Sequence, residues 1–129
     1  MKKVLILDDQ TDILDIWREN FRQWGLEVQI YEGTNGLLGL KQCKEVGKFD
    51  LVITDYKMPR MNGLDFIREL RAVDKTTPIF FFSGYIPELV FLVEDLENVM
   101  LFEKPFISDK FRAMIRMFLN DELRPVEAM

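Results

Sequence analysis

Residues 51–63 of this 129-residue chain read LVITDYKMPRMNG, and our prediction of the fold starts from them. The stretch begins with a continuously apolar run, which is typical of a strand buried on both faces of a parallel sheet. Asp55 follows that run directly, and from about Gly63 to Val73 the apolar residues recur at the spacing of one helix face. The stretch therefore predicts a buried strand that ends at a carboxylate, followed by a helix.

Short apolar runs alternate with longer periodic segments along the rest of the chain. We predict strands at Lys3–Leu7, Leu26–Tyr31, Asp50–Thr54, Pro78–Phe82 and Val99–Phe102. We predict helices at Asp12–Trp24, about Thr34–Val46, about Gly63–Val73, Ile86–Leu96 and Ser108–Leu119. Five strands that alternate with five helices favour an α/β fold in which helices cover both faces of a doubly wound parallel sheet.

The composition excludes several kinds of chemistry. The chain has no histidine and one cysteine, Cys43, so a Ser-His-Asp triad, histidine-ligated zinc and an internal disulfide bond are all excluded. The net charge of −5 argues against nonspecific binding to nucleic acid, because phosphates would be repelled. The amino-terminal apolar run is too short for a signal peptide or a membrane span, so we expect a cytoplasmic protein with no membrane attachment.

Side chains with functional chemistry follow four of the predicted strands. Asp8 and Asp9 follow the first strand, Asp55 the third, Ser83 the fourth and Lys104 the fifth. The carboxyl ends of parallel strands share one edge of the sheet, so we expect these side chains to meet there. Three neighbouring carboxylates repel one another, and a hard cation such as Mg²⁺ relieves that repulsion with oxygen ligands alone. Such a set suits phosphoryl transfer with a carboxylate as the nucleophile.

Four motifs resemble those of the bacterial response-regulator receiver domain family, in its single-domain form. They are LDD at 7–9, ITDYKMPRMNG at 53–63, FFSG at 81–84 and EKPF at 103–106. The resemblance extends from about Lys3 to Leu119. It implies a flavodoxin-like fold in which five helices flank a five-stranded parallel sheet of strand order 2-1-3-4-5. All four motifs occur in order and each closes a predicted strand, so together they are far more specific than any one alone.

The resemblance implies a role for each acidic residue of the cluster. Asp55 would accept the phosphoryl group and also belong to the metal site, and Asp9 would ligate Mg²⁺ directly. Asp8 would act largely through metal-bound water, and the main-chain carbonyl of Lys57 would complete the protein ligands. Taken singly, each aspartate could instead be an ordinary turn residue.

The resemblance also implies how the phosphoryl group would be recognised. Ser83 would hydrogen-bond one phosphoryl oxygen and Lys104 would pair with the group, aimed inward by a cis bond before Pro105. The sequence departs from the family pattern three residues before Lys104, where Leu101 stands in place of an aromatic residue that swings inward on phosphorylation. Phe102 is adjacent, but strand alternation points it to the opposite face. This departure puts the ring-rotation form of the switch in doubt.

The family's partners follow from the same resemblance. A sensor histidine kinase or a phosphotransfer protein would donate the phosphoryl group. A downstream protein target, or a second copy of the chain, would recognise the face formed by the fourth helix, the fifth strand and the fifth helix. We expect the receiver domain at 1–122 and a short tail at 123–129, with no room for an output domain. We expect no enzymatic activity beyond accepting and hydrolysing the chain's own aspartyl-phosphate.

Three alternatives remain open at the level of the sequence. A phosphorelay intermediate or phosphate sink would use the same chemistry but pass on or discard the phosphoryl group, and Leu101 slightly favours it. An interaction module that works without phosphorylation would bind its partner regardless of Asp55. An aspartate-nucleophile phosphatase would need a substrate pocket and a second acid-base group, for which the sequence offers no candidate.

The fourth helix and Cys43 each carry a smaller prediction. In that helix Ile86, Val90 and Val93 form an inward stripe, which leaves Phe91 facing outward. Phe91 is then either a scattered surface residue or part of a docking patch. Cys43, spaced with neighbouring apolar residues on the second helix, is expected to be a small buried hydrophobe.

Overall fold

The fold is described by a computed structural model that covers residues 1–104 and 109–119. The strands are β1 Lys2–Leu7, β2 Val28–Gly33, β3 Leu51–Asp55, β4 Ile79–Ser83 and β5 Val99–Glu103. The helices are α1 Thr11–Gln23, α2 Gly36–Val46, α3 Gly63–Arg71, α4 Pro87–Val93 and α5 Asp109–Leu119. Strands and helices alternate strictly, as predicted from the apolar runs.

The five strands form one parallel sheet in the order β2-β1-β3-β4-β5, which confirms the predicted fold class and topology. The pairing register keeps the carboxyl ends of the strands level. Leu7 pairs with Thr54, and in turn Asp55 pairs with Phe82. The residues that follow β1, β3, β4 and β5 therefore meet at the same edge of the sheet, where we sought a functional site.

Successive side chains of each strand point to opposite faces of the sheet and belong to two separate cores. Ile6 and Phe82 belong to the core that the sheet shares with α1 and α5, whereas Leu7 and Phe81 belong to the core under α2, α3 and α4. Because both faces are covered, the central strands can be apolar at every position, and all of Leu51–Asp55 and Ile79–Ser83 is buried. This explains why the strands were recognisable as continuous apolar runs.

Glycines let α2 lie close to its neighbours. A Cβ at Gly39 would clash with the side chains of Leu7 and Phe66, and one at Gly36 would clash with Met61. The backbone N–H of Gly36 also donates to the carbonyl of Met61 at 2.8 Å. The amino-terminal half of α2 is therefore held tightly against β1 and the start of α3.

Two predictions about apolar faces are wrong. In α4 the buried residues are Leu89 and Val93, whereas Val90, predicted to point inward, is exposed. The segment 89–93 reads LVFLV, so it has no polar position from which the helix phase could be fixed. In the third helix the regular structure ends at Arg71, and Val73 is 85% exposed instead of packing inward.

Some smaller features of the chain are visible in the structure, whereas others lie outside the described residues. Gly25, which follows the carboxyl-terminal end of α1, has a φ of 69°, in the left-handed region that favours glycine. Cys43, predicted to be buried, is half-buried against the core under α2 and α3, and this burial, with the charge of Asp74, raises the pKa of its thiol to about 11. The predicted helix start at Ser108, the predicted cis bond before Pro105 and the tail 123–129 lie outside the described residues. Among residues 1–104 and 109–119, no helix has the length and apolarity to cross a membrane.

Candidate functional site

Three carboxylates converge at the carboxyl edge of the sheet. Asp8 and Asp9 follow β1, and Asp55 is the last residue of β3. Each offers a carboxylate oxygen, and these oxygens all lie within 4.8 Å of one another. Asp8 and Asp55 are buried, while Asp9 is exposed to solvent. The structure thus brings together the three aspartates that the sequence placed at this edge.

The charges of this cluster are not balanced by the protein alone. The pKa of Asp8 is raised to about 6, mainly by burial and in part by the nearby charges of Asp55 and Asp9. The backbone N–H of Gln10, which donates to Asp8 Oδ1 at 2.9 Å, and the ammonium of Lys104 act in the opposite direction. Crowded oxygen donors with uncompensated negative charge, one of them open to solvent, form a set that fits a hard divalent cation.

Lys104 supplies the positive charge of the site. Its ammonium nitrogen lies 2.9 Å from Asp55 Oδ1. The backbone N–H of Lys104 donates to the carbonyl of Ser83 at 3.0 Å, which extends the pairing of β4 and β5 to this point. The position of the lysine therefore follows from the sheet itself, since the residue after β5 must lie beside the residues that follow β3 and β4.

Ser83 is at the predicted edge, and its hydroxyl contacts the turn that leads into α4. Ser83 Oγ accepts a hydrogen bond from the backbone N–H of Tyr85 at 3.1 Å. The hydroxyl also lies 3.3 Å from the carbonyl of Tyr85 and 3.5 Å from a carboxylate oxygen of Glu88. Sequence reasoning missed Glu88, because this residue lies within the next helix and only the turn before α4 brings it back to Ser83.

The turn between β3 and α3 shapes the approach to Asp55. A Cβ at Gly63 would overlap the carbonyl of Asp55, so only glycine fits there. The N–H of Gly63 donates to the carbonyl of Tyr56 at 2.8 Å, and Asn62 caps α3 by accepting from the N–H of Asp65. This closure fixes the main chain at the end of β3, where the phosphoacceptor carboxylate was predicted.

An open cavity of about 530 Å³ lies beside Asp9. Lys57, Met58, Pro59 and Asn62 contribute to its walls. Lys57 therefore shares this cavity with Asp9, the exposed member of the acidic cluster, and its main-chain ligation of Mg²⁺ was predicted. That ligation stays a prediction.

Leu101 and Phe102 lie on opposite faces of β5, as strand alternation predicted. Leu101 packs against the core under α2, α3 and α4. Phe102 belongs to the other face, where its ring stacks on Phe82 at a centroid distance of 5.2 Å and contacts Phe111 at 4.7 Å. Phe102 is thus held in an aromatic cluster on the α1 and α5 side, so it does not replace the aromatic residue that would swing inward.

The fold and the acidic edge together define a class of protein, and comparison with known families gives the same answer. The model of the response regulator receiver domain matches residues 4–116. The chain therefore belongs to the response regulator receiver domain family of two-component systems.

Particular relatives cover the chain almost completely. Sporulation initiation phosphotransferase F of Bacillus subtilis is 31% identical over 120 residues, which are 92% of this chain and 94% of that protein. Response regulator protein TodT of Pseudomonas putida is 31% identical over 119 residues, but this chain spans only about half of its length, 51%. The response regulator TrrA of Thermotoga maritima, solved in complex with Mg²⁺ and BeF, is 26% identical with a TM-score of 0.75, and the match covers 92% of this chain and 100% of that one.

Proposed function

We propose that this protein accepts a phosphoryl group on Asp55 in a Mg²⁺-dependent reaction, and that it transmits the phosphorylated state through protein–protein contacts in the cytoplasm. The observation that carries the proposal is the meeting of Asp8, Asp9 and Asp55 oxygens within 4.8 Å, with the Lys104 ammonium 2.9 Å from Asp55. The solved relative with Mg²⁺ and BeF at 26% identity supports the choice of cation.

The chemistry follows from what these side chains can do. One Asp55 carboxylate oxygen attacks the phosphorus atom of the donor, so an O–P bond forms as the bond from phosphorus to the donor's nitrogen or oxygen breaks. Lys104 neutralises charge on the transferring group and holds Asp55 in place. Asp9, Asp8 and the main-chain carbonyl of Lys57 would hold Mg²⁺, which supplies further charge neutralisation when bound.

The switch would begin at Ser83. Its hydroxyl now contacts Tyr85 and Glu88, and the new phosphoryl oxygens would offer it a stronger acceptor. Rotation toward the phosphoryl group would release Glu88 in the first turn of α4. Phosphorylation of Asp55 would in this way alter the α4 surface even though position 101 is a leucine and not an aromatic residue.

Replacing Lys104 with Gln is expected to slow phosphorylation by acetyl phosphate roughly tenfold or more, because a charge-assisted contact to the transferring group is lost. The rate is measured as phosphoprotein formed over time at saturating Mg²⁺. Lys41→Gln, which removes an exposed charge on α2, is the matched control and should leave the rate unchanged. Equal rates for both variants would remove Lys104 from the proposed mechanism.

The output surface that we propose includes α4. Phe91 is 77% exposed, and its chain neighbours Val90 and Leu92 on α4 are exposed as well. Apolar side chains that cluster on one short helix are more typical of a contact surface than singly scattered ones. The family membership supports a histidine kinase or phosphotransfer protein as the donor, and a downstream protein or a second copy of the chain would recognise this surface.

Phe91→Ser is expected to weaken binding of a cognate target, or self-association of the phosphorylated protein, by about tenfold, because a large apolar contact is lost. The side chain is exposed, so stability should change little. Analytical ultracentrifugation with and without acetyl phosphate measures self-association, and calorimetry measures target affinity. If neither changes, Phe91 is an isolated surface residue.

A phosphorelay intermediate is a second candidate function. It is favoured by the match to a sporulation phosphotransferase over 94% of that protein's length and by the leucine at position 101. Rapid, reversible return of the phosphoryl group to a phosphotransfer protein would distinguish it from a terminal switch. Partner binding that ignores both Mg²⁺ and Asp55→Asn would instead identify a module that works without phosphorylation.

A further inference from the structure

A second concave site lies at the opposite edge of the sheet from Asp55. It is an open groove of about 890 Å³ between the carboxyl-terminal halves of α2 and α3, closed below by the segments that lead into β3 and β4. Neither the acidic cluster nor the α4 surface contributes to it. Its volume falls in the range of about 300 to 1,000 Å³ that is typical of small-molecule sites.

The groove follows from how the two helices pack. Gly36 and Gly39 draw the amino-terminal half of α2 against Met61 and Phe66, near the start of α3. The other ends of the two helices do not close on each other in the same way, and their side chains line the groove instead. Close packing at one end thus leaves a wedge of space at the other.

The floor of the groove is apolar. Phe49, Val52 and Leu70 lie there with exposed fractions of 5% or less, and Cys43 forms part of the wall. Val73 stands on the rim with 85% of its surface exposed, so an apolar ligand would gain a further contact at the mouth.

The mouth of the groove is basic although the protein is acidic. Its lining includes four lysines, Lys41, Lys44, Lys48 and Lys75, against two acidic residues, Glu69 and Asp74, a local balance of 4 − 2 = +2 in a chain of net charge −5. Lys41 pairs with Glu45, and Lys48 pairs with Asp74.

Two of these lysines remain available to a ligand. Within residues 1–104 and 109–119, no carboxylate lies within ion-pair distance of the ammonium of Lys44 or of Lys75. Asp74 is already engaged, since its carboxylate accepts from the N–H groups of Thr76 and Thr77. The groove therefore combines an apolar floor with cationic charge that is open to a ligand at the mouth.

We propose that this groove binds a small amphipathic organic anion, with an apolar body of the fatty-acyl type against Phe49, Val52 and Leu70 and a single carboxylate paired with Lys44 and Lys75. The charge at the mouth selects the anionic head, and the buried apolar side chains of the floor select the apolar body. Binding here would be independent of the phosphoacceptor site.

The first test uses dodecanoate as the probe, titrated calorimetrically into the full chain below the concentration at which the probe forms micelles. Saturable binding at one site is expected. The double variant Lys44→Glu, Lys75→Glu should weaken it at least tenfold, and dodecanol should bind correspondingly less tightly than dodecanoate. Arg112→Glu, an exposed charge reversal on α5 on the other side of the sheet, is the matched control and should bind like the native protein.

The second test fills the groove. Cys43→Phe should abolish dodecanoate binding by occupying the apolar wall, and Val73→Asp, at an exposed position that tolerates substitution, should weaken it whether or not the first variant folds. No saturable binding, equal weakening by Arg112→Glu, or unchanged binding by Val73→Asp would each overturn the proposal.

Discussion

Asp55→Asn is expected to abolish covalent labelling of the protein by acetyl phosphate and Mg²⁺. The amide is not a nucleophile toward phosphorus, and no phosphoaspartate can form at that position. The variant should keep its fold, because Asn retains the oxygen that accepts the backbone N–H of Tyr56 at 2.9 Å. Intact-mass spectrometry measures the fraction of protein that carries one phosphoryl group, and the expected loss is essentially complete.

The matched control is Asp50→Asn, at the residue that immediately precedes the same strand. Asp50 lies at the opposite edge of the sheet, where its carboxylate accepts the backbone N–H of Lys3 at 2.8 Å. Its substitution removes one negative charge near β3 without touching the acidic cluster, so labelling should remain at the native level. Undiminished labelling of the Asp55 variant, or loss of labelling in the control, would contradict the assignment.

Asp8→Asn is expected to stabilise the metal-free protein and to remove most of its response to Mg²⁺. The side chain is 3% exposed, and its pKa is raised from the ordinary value of 3.8 to about 6, mainly by burial. At about 1.4 kcal/mol per pH unit, a shift of this size corresponds to roughly 2 to 3 kcal/mol of unfolding free energy at neutral pH. Asn keeps an acceptor for the N–H of Gln10, so the turn after β1 should be preserved.

The pH dependence has a definite sign. Because the folded-state pKa of Asp8 lies above its unfolded value, the folded protein binds more protons between about pH 4 and pH 6. The contribution of Asp8 to stability therefore decreases as the pH rises through this interval, and at neutral pH the charged form costs the most. Urea unfolding in EDTA, followed by the fluorescence of the buried Trp17 and Trp24, measures this trend.

With Mg²⁺ added, the native protein should become more stable to unfolding than the Asp8→Asn variant. The cation stabilises the native cluster by binding the folded state alone, whereas the Asp8→Asn variant offers it one negative charge less. An Asp8 variant that is less stable than the native protein in EDTA would show that the cluster is not strained by its own charge. An undiminished stabilisation by Mg²⁺ would show that Asp8 takes no part in cation binding.

Much of the fold was predictable because the central strands are buried on both faces. A run such as Ile79–Phe82 can be apolar at every position only if both faces are covered, and this signal does not depend on helix phase. The phase of α4 was not predictable, because LVFLV offers no polar position. Docking of Leu89 and Val93 into the core under α2, α3 and α4 settles it, and that docking is a property of the neighbouring elements.

The candidate site also has some features that were predictable from the sequence and others that were not. Asp8, Asp9, Asp55 and Lys104 were predictable because each follows or closes a strand, and parallel strands of level register bring their carboxyl ends together. The direction of the Ser83 hydroxyl toward Tyr85 and Glu88 was not predictable, because its side-chain rotamer depends on contacts with the following turn. The groove between α2 and α3 was not predictable either, because it arises from where two helices diverge.

Local patterns in the chain were enough to establish which residues lie at the ends of the strands, because apolar runs and the polar residues that close them are neighbours in sequence. The packed fold was needed to establish how close the three carboxylates come and how far burial raises the pKa of Asp8. It was also needed to establish which way Ser83 turns and where space is left between helices. These quantities depend on distances between elements remote in sequence, and packing and dielectric environment set those distances once the whole chain has folded.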